Sequence, residues 1–166
     1  DFAIHAGCWN RLNADLELYY KRTSDMLMEV PAPYSTTGYG YYWDNVGTMV
    51  NMGAEINVNA NLLTVKDFNW SVNANVSYNY NEITELYNGV QEYERSSTNT
   101  KLVVGHSLGE FFINRYAGVN PANGDALWYD KDGNITNVLR DEDKVLVGKS
   151  YIAPWQGGFG TALQWK

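Results

Sequence analysis

Cysteine is nearly missing from this chain of 166 residues, where Cys8 stands alone. A single cysteine excludes an internal disulfide and any multi-cysteine metal site. Histidine is almost as scarce, at His5 and His106. No apolar run approaches the roughly 18 residues that a membrane-spanning helix needs, and no helical periodicity is sustained anywhere. Cations are few: 12 Lys and Arg stand against 19 Asp and Glu, a net charge of -7. That balance argues against a phosphate-backbone partner, and no basic cluster accompanies the aromatic residues, so nucleic acid is not an expected ligand. The chain opens "DFAIHAGCWN", without an initiator Met, a basic start or an apolar signal core, and reads as an internal or processed piece.

What is present is alternation. In "WSVNANVSYNYN" the even positions Trp70, Val72, Ala74, Val76, Tyr78 and Tyr80 are apolar or aromatic. The odd positions Ser71, Asn73, Asn75, Ser77, Asn79 and Asn81 are small and polar. Side chains on a strand alternate faces, so this period of two gives one apolar and one amide face. "MGAEINVNANL" repeats the pattern, with Met52, Ala54, Ile56, Val58, Ala60 and Leu62 against Gly53, Glu55, Asn57, Asn59 and Asn61. "LNADLELYY" does so again, with Leu12, Ala14, Leu16, Leu18 and Tyr20 against Asn13, Asp15, Glu17 and Tyr19.

The pattern predicts an all-β chain with strands over about 2–8, 12–22, 47–62, 70–82 and 157–166. Short turns join the first to the second and the third to the fourth. The other two connections, 23–46 and 83–156, are far longer than compact domains ordinarily use. Short and long connections in alternation describe an antiparallel meander with tight turns at one end and elaborate loops at the other. Two architectures fit: a soluble β-sandwich with the apolar face inward, such as a secreted carbohydrate-binding module, or a membrane barrel with the apolar face on lipid. About eleven residues at roughly 3.3 Å each, tilted about 45°, rise roughly 25 Å, the height of an outer-membrane barrel's apolar band. Aromatic residues near strand ends (Tyr19, Tyr20, Trp70, Tyr78, Tyr80, Trp165) suit interfacial girdles. Five strands cannot close a membrane barrel, so on that reading the chain is one arc of a larger wall.

Several segments, in order, resemble the carboxy-terminal barrel region of the SusC/RagA family of TonB-dependent outer-membrane transporters. These are "LELYYKRTSDML" at 16–27, "NVGTMVNMGAEINV" at 45–58 and "FNWSVNANVSYNYNEITEL" at 68–86. They continue with "VGHSLGEFFINRYAGVNPANGDALWYDKDGNIT" at 104–136 and "VGKSYIAPWQGGFG" at 147–160. The resemblance implies that residues 1–166 are part of a transmembrane β-barrel from which the plug domain is absent. It implies import of large nutrients, oligosaccharides or peptides, across the outer membrane of a Gram-negative, Bacteroidota-like bacterium. The implied partners are the lipid bilayer, a SusD-like surface lipoprotein, and TonB through an N-terminal part outside this sequence. No cofactor and no catalysis are implied.

Two motifs compete with that reading. Gly105 to Gly109 spell G-x-S-x-G, which looks like the nucleophile elbow of hydrolases and acyltransferases, with Ser107 as nucleophile. A histidine base should follow the serine, yet none occurs after His106. Turns made by the two glycines are the alternative. In "YDKDGNIT", Asp130, Asp132 and Asn134 offer oxygens at alternate positions, a calcium candidate. Gly133 stands fourth rather than sixth in that run, and an Asp-Gly turn explains the same residues. His5 with Cys8 supplies two metal ligands without a third.

On the transporter reading, Val58, Ala60, Leu62, Val72, Ala74 and Val76 face lipid. Asn57, Asn59, Asn61, Asn73, Asn75 and Asn79 line a hydrated interior and offer donors and acceptors to polar cargo. The long loop 83–156 reaches the cell surface and shapes substrate access or lid contact. Its Trp128 and Tyr129, between acidic turns, are candidates for stacking on a substrate. Phe111, Phe112 and Tyr116 are assigned to packing within the loop.

Overall fold

The computed structural model describes residues 1–95 and 98–166. In chain order the strands are β1 (Phe2–Cys8), β2 (Leu12–Thr23), β3 (Leu27–Pro31), β4 (Tyr41–Asn45), β5 (Thr48–Val65), β6 (Phe68–Glu85) and β7 (Glu92–Arg95). They continue as β8 (Thr100–Val103), β9 (Glu110–Ile113), β10 (Arg115–Val119), β11 (Ala126–Tyr129), β12 (Ile135–Thr136), β13 (Val145–Ser150) and β14 (Trp155–Trp165). One four-residue helix, Tyr34–Thr37, lies between β3 and β4. The chain divides into two units: residues 1–26, 48–81 and 153–166, and residues 27–47 and 82–152.

The first unit is a single antiparallel sheet in the order β1-β2-β5-β6-β14. It is a meander, and it does not close. The β1–β2 turn places Trp9 and Asn10 at φ 55° and 52°. Two successive left-handed residues make the tight hairpin turn whose twist suits antiparallel strands, and the Arg11 N–H closes it on the Cys8 carbonyl at 3.0 Å. Lys66, at φ 44°, turns the β5–β6 hairpin. Register then sorts the side chains. Leu12, Ala14, Leu16, Leu18 and Tyr20 of β2 face Ala60, Val58, Ile56, Ala54 and Met52 of β5. On the other side Leu18, Leu16, Ala14 and Leu12 meet Phe2, Ile4, Ala6 and Cys8 of β1. In β14 the parity is shifted by the pairing: Trp155, Gly157, Phe159, Thr161, Leu163 and Trp165 oppose Tyr78, Val76, Ala74, Val72, Trp70 and Phe68.

The connections expected as loops over 23–46 and 83–156 contain β3, β4 and β7 to β13. The hairpin strands also run past the expected limits: β5 to Val65 rather than 62, and β6 from Phe68 to Glu85 rather than 70–82. Backbone pairing across a hairpin continues where side-chain alternation lapses, as at Leu63-Thr64-Val65, because the ladder needs amides and not a pattern.

The second unit holds three small antiparallel sheets, β3-β4, β10-β11-β12 and β13-β9-β8-β7. It owns the apolar core. Ile83, Leu86 and Leu102 are buried together, with Met28, Val90, Tyr93, Val104 and Leu108 packed around them. In the sheet unit, Val50 is the one buried apolar residue among those described.

Candidate functional site

The five-stranded sheet presents two faces of opposite chemistry. Its apolar face is uncovered: Phe2 is 58% exposed, Ile56 42% and Phe159 75%. A β-sandwich would bury these side chains against a second sheet, so that alternative fails on this face. Aromatic pairs bound it on β6 and β14. Tyr78 and Trp155 sit 4.7 Å apart at one end, and Phe68 and Trp165 sit 6.1 Å apart at the other. Ten residue steps separate Phe68 from Tyr78. At about 3.3 Å each and a tilt near 45°, they rise roughly 23 Å, close to the apolar band of an outer-membrane barrel. On this face Trp70 Nε1 donates to Thr161 Oγ1 at 2.9 Å.

The opposite face is built from amides and charges. Asn13 opposes Asn59, Asp15 opposes Asn57, and Glu17 opposes Glu55. Two carboxylates directly across a strand pair repel unless water screens them, which fits a wetted surface. The His5 ring nitrogen Nδ1 meets the Asp15 carboxylate on the same face.

Glycine shapes this surface where a larger residue stands opposite. Tyr19 lies over Gly53, and its hydroxyl donates to Asn79 Oδ1 at 2.8 Å. A Cβ at Gly53 would collide with the Tyr78 backbone carbonyl and come within 2.6 Å of the Tyr19 hydroxyl oxygen. Asn73 leans over Gly160 and Asn75 over Gly158 in the same way. Farther along, Asn81 Nδ2 donates to Asn51 Oδ1 at 2.9 Å.

A shallow depression of about 280 Å³ on the amide face is lined by Asn13, Asn59, Asn61, Ser71 and Asn73, beside Ala60 and Val72. The structure therefore brings together Asn59, Asn61 and Asn73 of the expected set. Asn57 lies one row on, opposite Asp15. Asn75 lies beside Gly158, and Asn79 is engaged by Tyr19. Asn13 and Ser71 were absent from the expected ligand set, although their odd positions signal the same face.

In the second unit, Trp128 and Tyr129 are neighbours on β11 and so point to opposite faces. Trp128 opposes Tyr116, with the rings edge-to-face at 5.4 Å. Tyr129 opposes Arg115, whose guanidinium lies 5.2 Å from its ring. The two do not form one stacking platform. Tyr116 is 56% exposed and Phe111 meets the Tyr151 ring at 6.3 Å.

The G-x-S-x-G run is a turn between β8 and β9, antiparallel neighbours, with no helix following. Its glycines have separate reasons, backbone conformation at Gly105 and packing at Gly109. Gly105 adopts φ 86°, and its N–H donates to the Ile83 carbonyl at 2.8 Å. A Cβ at Gly109 would come within 2.6 Å of the Tyr151 ring. Ser107 Oγ donates to Ser150 Oγ at 3.3 Å, while His106 Nδ1 lies 2.6 Å from Glu110 Oε2.

The "DKDGN" run is the turn of the β11–β12 hairpin. Asp130 Oδ1 accepts the N–H groups of Asp132 and Asn134 at 2.9 and 2.7 Å, and Oδ2 accepts Asn134 Nδ2 at 3.1 Å. These donors, the Asn134 side chain foremost, hold the Asp130 carboxyl below its ordinary value of 3.8. The carboxylate that a cation would use is thus already a staple for the turn. Among the described residues no three His, Cys, Asp or Glu side chains converge on a metal position.

Residues 6–165 match the family model described as "TonB dependent receptor-like, beta-barrel". The chain is 31% identical to the TonB-dependent receptor SusC of Bacteroides thetaiotaomicron, across 76% of this chain and 14% of that protein. It is 29% identical to the TonB-dependent receptor P26 of Formosa agariphila, across 100% of this chain and 18% of that protein. Among solved structures, a chain of the RagAB peptide transporter superposes with a TM-score of 0.87 at 33% identity, covering 99% of this chain and 19% of that one. The RagAB peptide importer in its open-open state superposes at 0.83 and 34% identity, covering 95% and 17%. The chain spans less than a fifth of the length of these relatives.

Proposed function

This chain belongs to the TonB-dependent receptor β-barrel family, and on that premise we propose that it forms one arc of the wall, with the outer loops, of an importer of large nutrients. The family indicates a Gram-negative outer-membrane protein; we take the cell to be Bacteroidota-like. Transport draws on TonB through a segment outside these residues, and a SusD-like surface lipoprotein lids the barrel. The cargo is an oligosaccharide or a peptide.

One observation carries this reading. An apolar face stays exposed on the five-stranded sheet, in register from β1 to β5 and again from β6 to β14, bounded on β6 and β14 by aromatic pairs, and it is backed by a face of amides. Hydrocarbon is the medium that suits the first face, and a hydrated interior suits the second. Asn57, Asn59, Asn73, Asn75 and Asn79 then contribute polar contacts to passing cargo. Trp128 and Tyr129 contribute ring contacts from the loops, each from its own side of β11.

The test uses the full-length transporter in its own cell. Deleting the gene should abolish growth on either oligosaccharides or oligopeptides as sole carbon source, and the intact gene should restore it. A version lacking residues within 105–135 should leave a barrel of normal heat-modifiability but fail in uptake or lid binding. Normal uptake by that version would reduce the loop to a scaffold, and normal growth of the deletion strain on both nutrient classes would remove the importer reading.

A further inference from the structure

We propose that the outward face of the β3–β4 ribbon binds a cationic side chain, arginine or lysine, of an extended peptide cargo. The proposal rests on the importer reading and narrows its cargo class. The ribbon pairs Leu27 with Asn45, Met28 with Asp44, Glu29 with Trp43, Val30 with Tyr42 and Pro31 with Tyr41. Alternation separates these into two faces. Val30 is 2% exposed and Met28 packs on the Ile83–Leu86–Leu102 core, so their face is seated. The other face carries Tyr41 at 54% exposure and Trp43 at 60%, with Leu27 and Pro31 exposed beside them.

Two rings two residues apart on a strand stand about 7 Å from one another on the same side. Glu29 lies directly across from Trp43, with β-carbons about 5 Å apart, and diagonally from Tyr41. A carboxylate beside two exposed aromatic rings matches a cation twice, by charge and by the ring quadrupoles. The same molecule uses this combination elsewhere: Lys101 Nζ sits 2.8 Å from Glu92 Oε1 and 4.9 Å from the Phe112 ring centre. On the ribbon the rings are exposed instead, and Glu29 is half-buried beside them. No Lys, Arg or His occurs between Arg22 and Lys66, and among the described residues neither Glu29 nor Asp44 pairs with a cation. The local charge therefore favours a basic ligand over an anionic one. A neutral sugar could stack on the rings but would gain nothing from the charge of Glu29. Arginine is the better fit, because its planar guanidinium stacks and pairs at once.

The experiment measures binding by the full-length transporter in detergent, by fluorescence anisotropy. The probes are a labelled extended peptide with one central arginine and the same peptide with citrulline, a neutral isostere. We expect the arginine peptide to bind about three- to tenfold more tightly, with the contrast shrinking as salt is raised. Glu29→Gln should bring the ratio close to one, leaving citrulline-peptide affinity within about twofold, and Trp43→Ala should lower the ratio while weakening both peptides. Both positions are exposed or half-exposed, and Glu29→Gln keeps the shape, so folding is not at stake. An unchanged ratio in both variants overturns the proposal, as does equal wild-type binding of the two peptides; either result leaves the importer reading intact. Weaker lipoprotein binding by the variants with an unchanged peptide ratio would make the ribbon a lid contact and also overturn it. Loss of the importer reading itself would show separately, as normal growth of the deletion strain.

Discussion

Arginine placed on the two faces of β6 should separate them by free energy. Val72 opposes Thr161 on the face that ends at Phe68–Trp165 and Tyr78–Trp155. The middle of that span falls at residue 73, so Val72 lies one step, about 2–3 Å of height, from the midplane. Val76 lies three steps off, roughly 7 Å. Arginine on the lipid side costs about 2–4 kcal/mol at the midplane and about 0–1 near the interfaces. Val72→Arg should therefore cost about 2–4 kcal/mol and Val76→Arg about 1–2. Asn73→Arg, equally central but on the amide face, should cost under about 1 kcal/mol. At about 1.4 kcal/mol per decade, Val72→Arg and Asn73→Arg should differ by roughly ten- to a hundredfold in the insertion equilibrium. The assay is urea-titrated folding of the full-length protein into vesicles, followed by heat-modifiable migration on gels. Equal costs at 72 and 73 would refute the assignment of faces.

Gly53→Ala should destabilise the wall by about 2–4 kcal/mol. The new methyl meets the fixed Tyr78 backbone oxygen and dislodges the Tyr19–Asn79 hydrogen bond; an unchanged unfolding midpoint would count against the observed β5–β6 closeness. Gly160→Ala meets only the flexible Asn73 amide. It should cost under about 1 kcal/mol while altering cargo affinity, and a loss as large as that of Gly53→Ala would contradict the contrast. Asp130 has its folded pKa lowered, so its contribution is complete above the unfolded value near 3.8 and is lost as pH falls through the lower folded value. Pepsin cleavage within 126–136 should therefore stay slow at pH 3.8 and rise only below it, whereas Asp130→Ala should be cut readily throughout. Fast cleavage of the unaltered loop at pH 3.8 would refute the staple.

The wall was legible because a period of two over Asn13–Tyr20, Met52–Leu62 and Trp70–Tyr80 needs no partner to be read. Its medium was legible from strand length, aromatic placement and resemblance, until exposure of Ile56 and Phe159 told lipid from a second sheet. β14 hid its faces, since glycines interrupt its pattern and only pairing with β6 assigns Phe159 and Leu163 to the apolar side. The strands of the second unit were opaque, because elements of two to six residues are held by distant contacts such as Met28 on the Ile83–Leu86–Leu102 cluster. The same blindness made Trp128 and Tyr129 look like a pair and hid the ring that crowds the turn glycine Gly109. A strand four residues long sets the first apart, and Tyr151, far along the chain, accounts for the second. The ribbon aromatics Tyr41 and Trp43 went unread because nothing before pairing with β3 showed which side of them was free.

The most direct measurement is nitroxide accessibility at successive positions 71 to 77 in the full-length transporter reconstituted in bilayers. Oxygen collision should peak at 72, 74 and 76, and a water-soluble nickel chelate should peak at 71, 73, 75 and 77, in strict alternation. Even positions shielded from both reagents would mean that a protein layer covers the apolar face, and the account of a lipid-facing wall would be wrong.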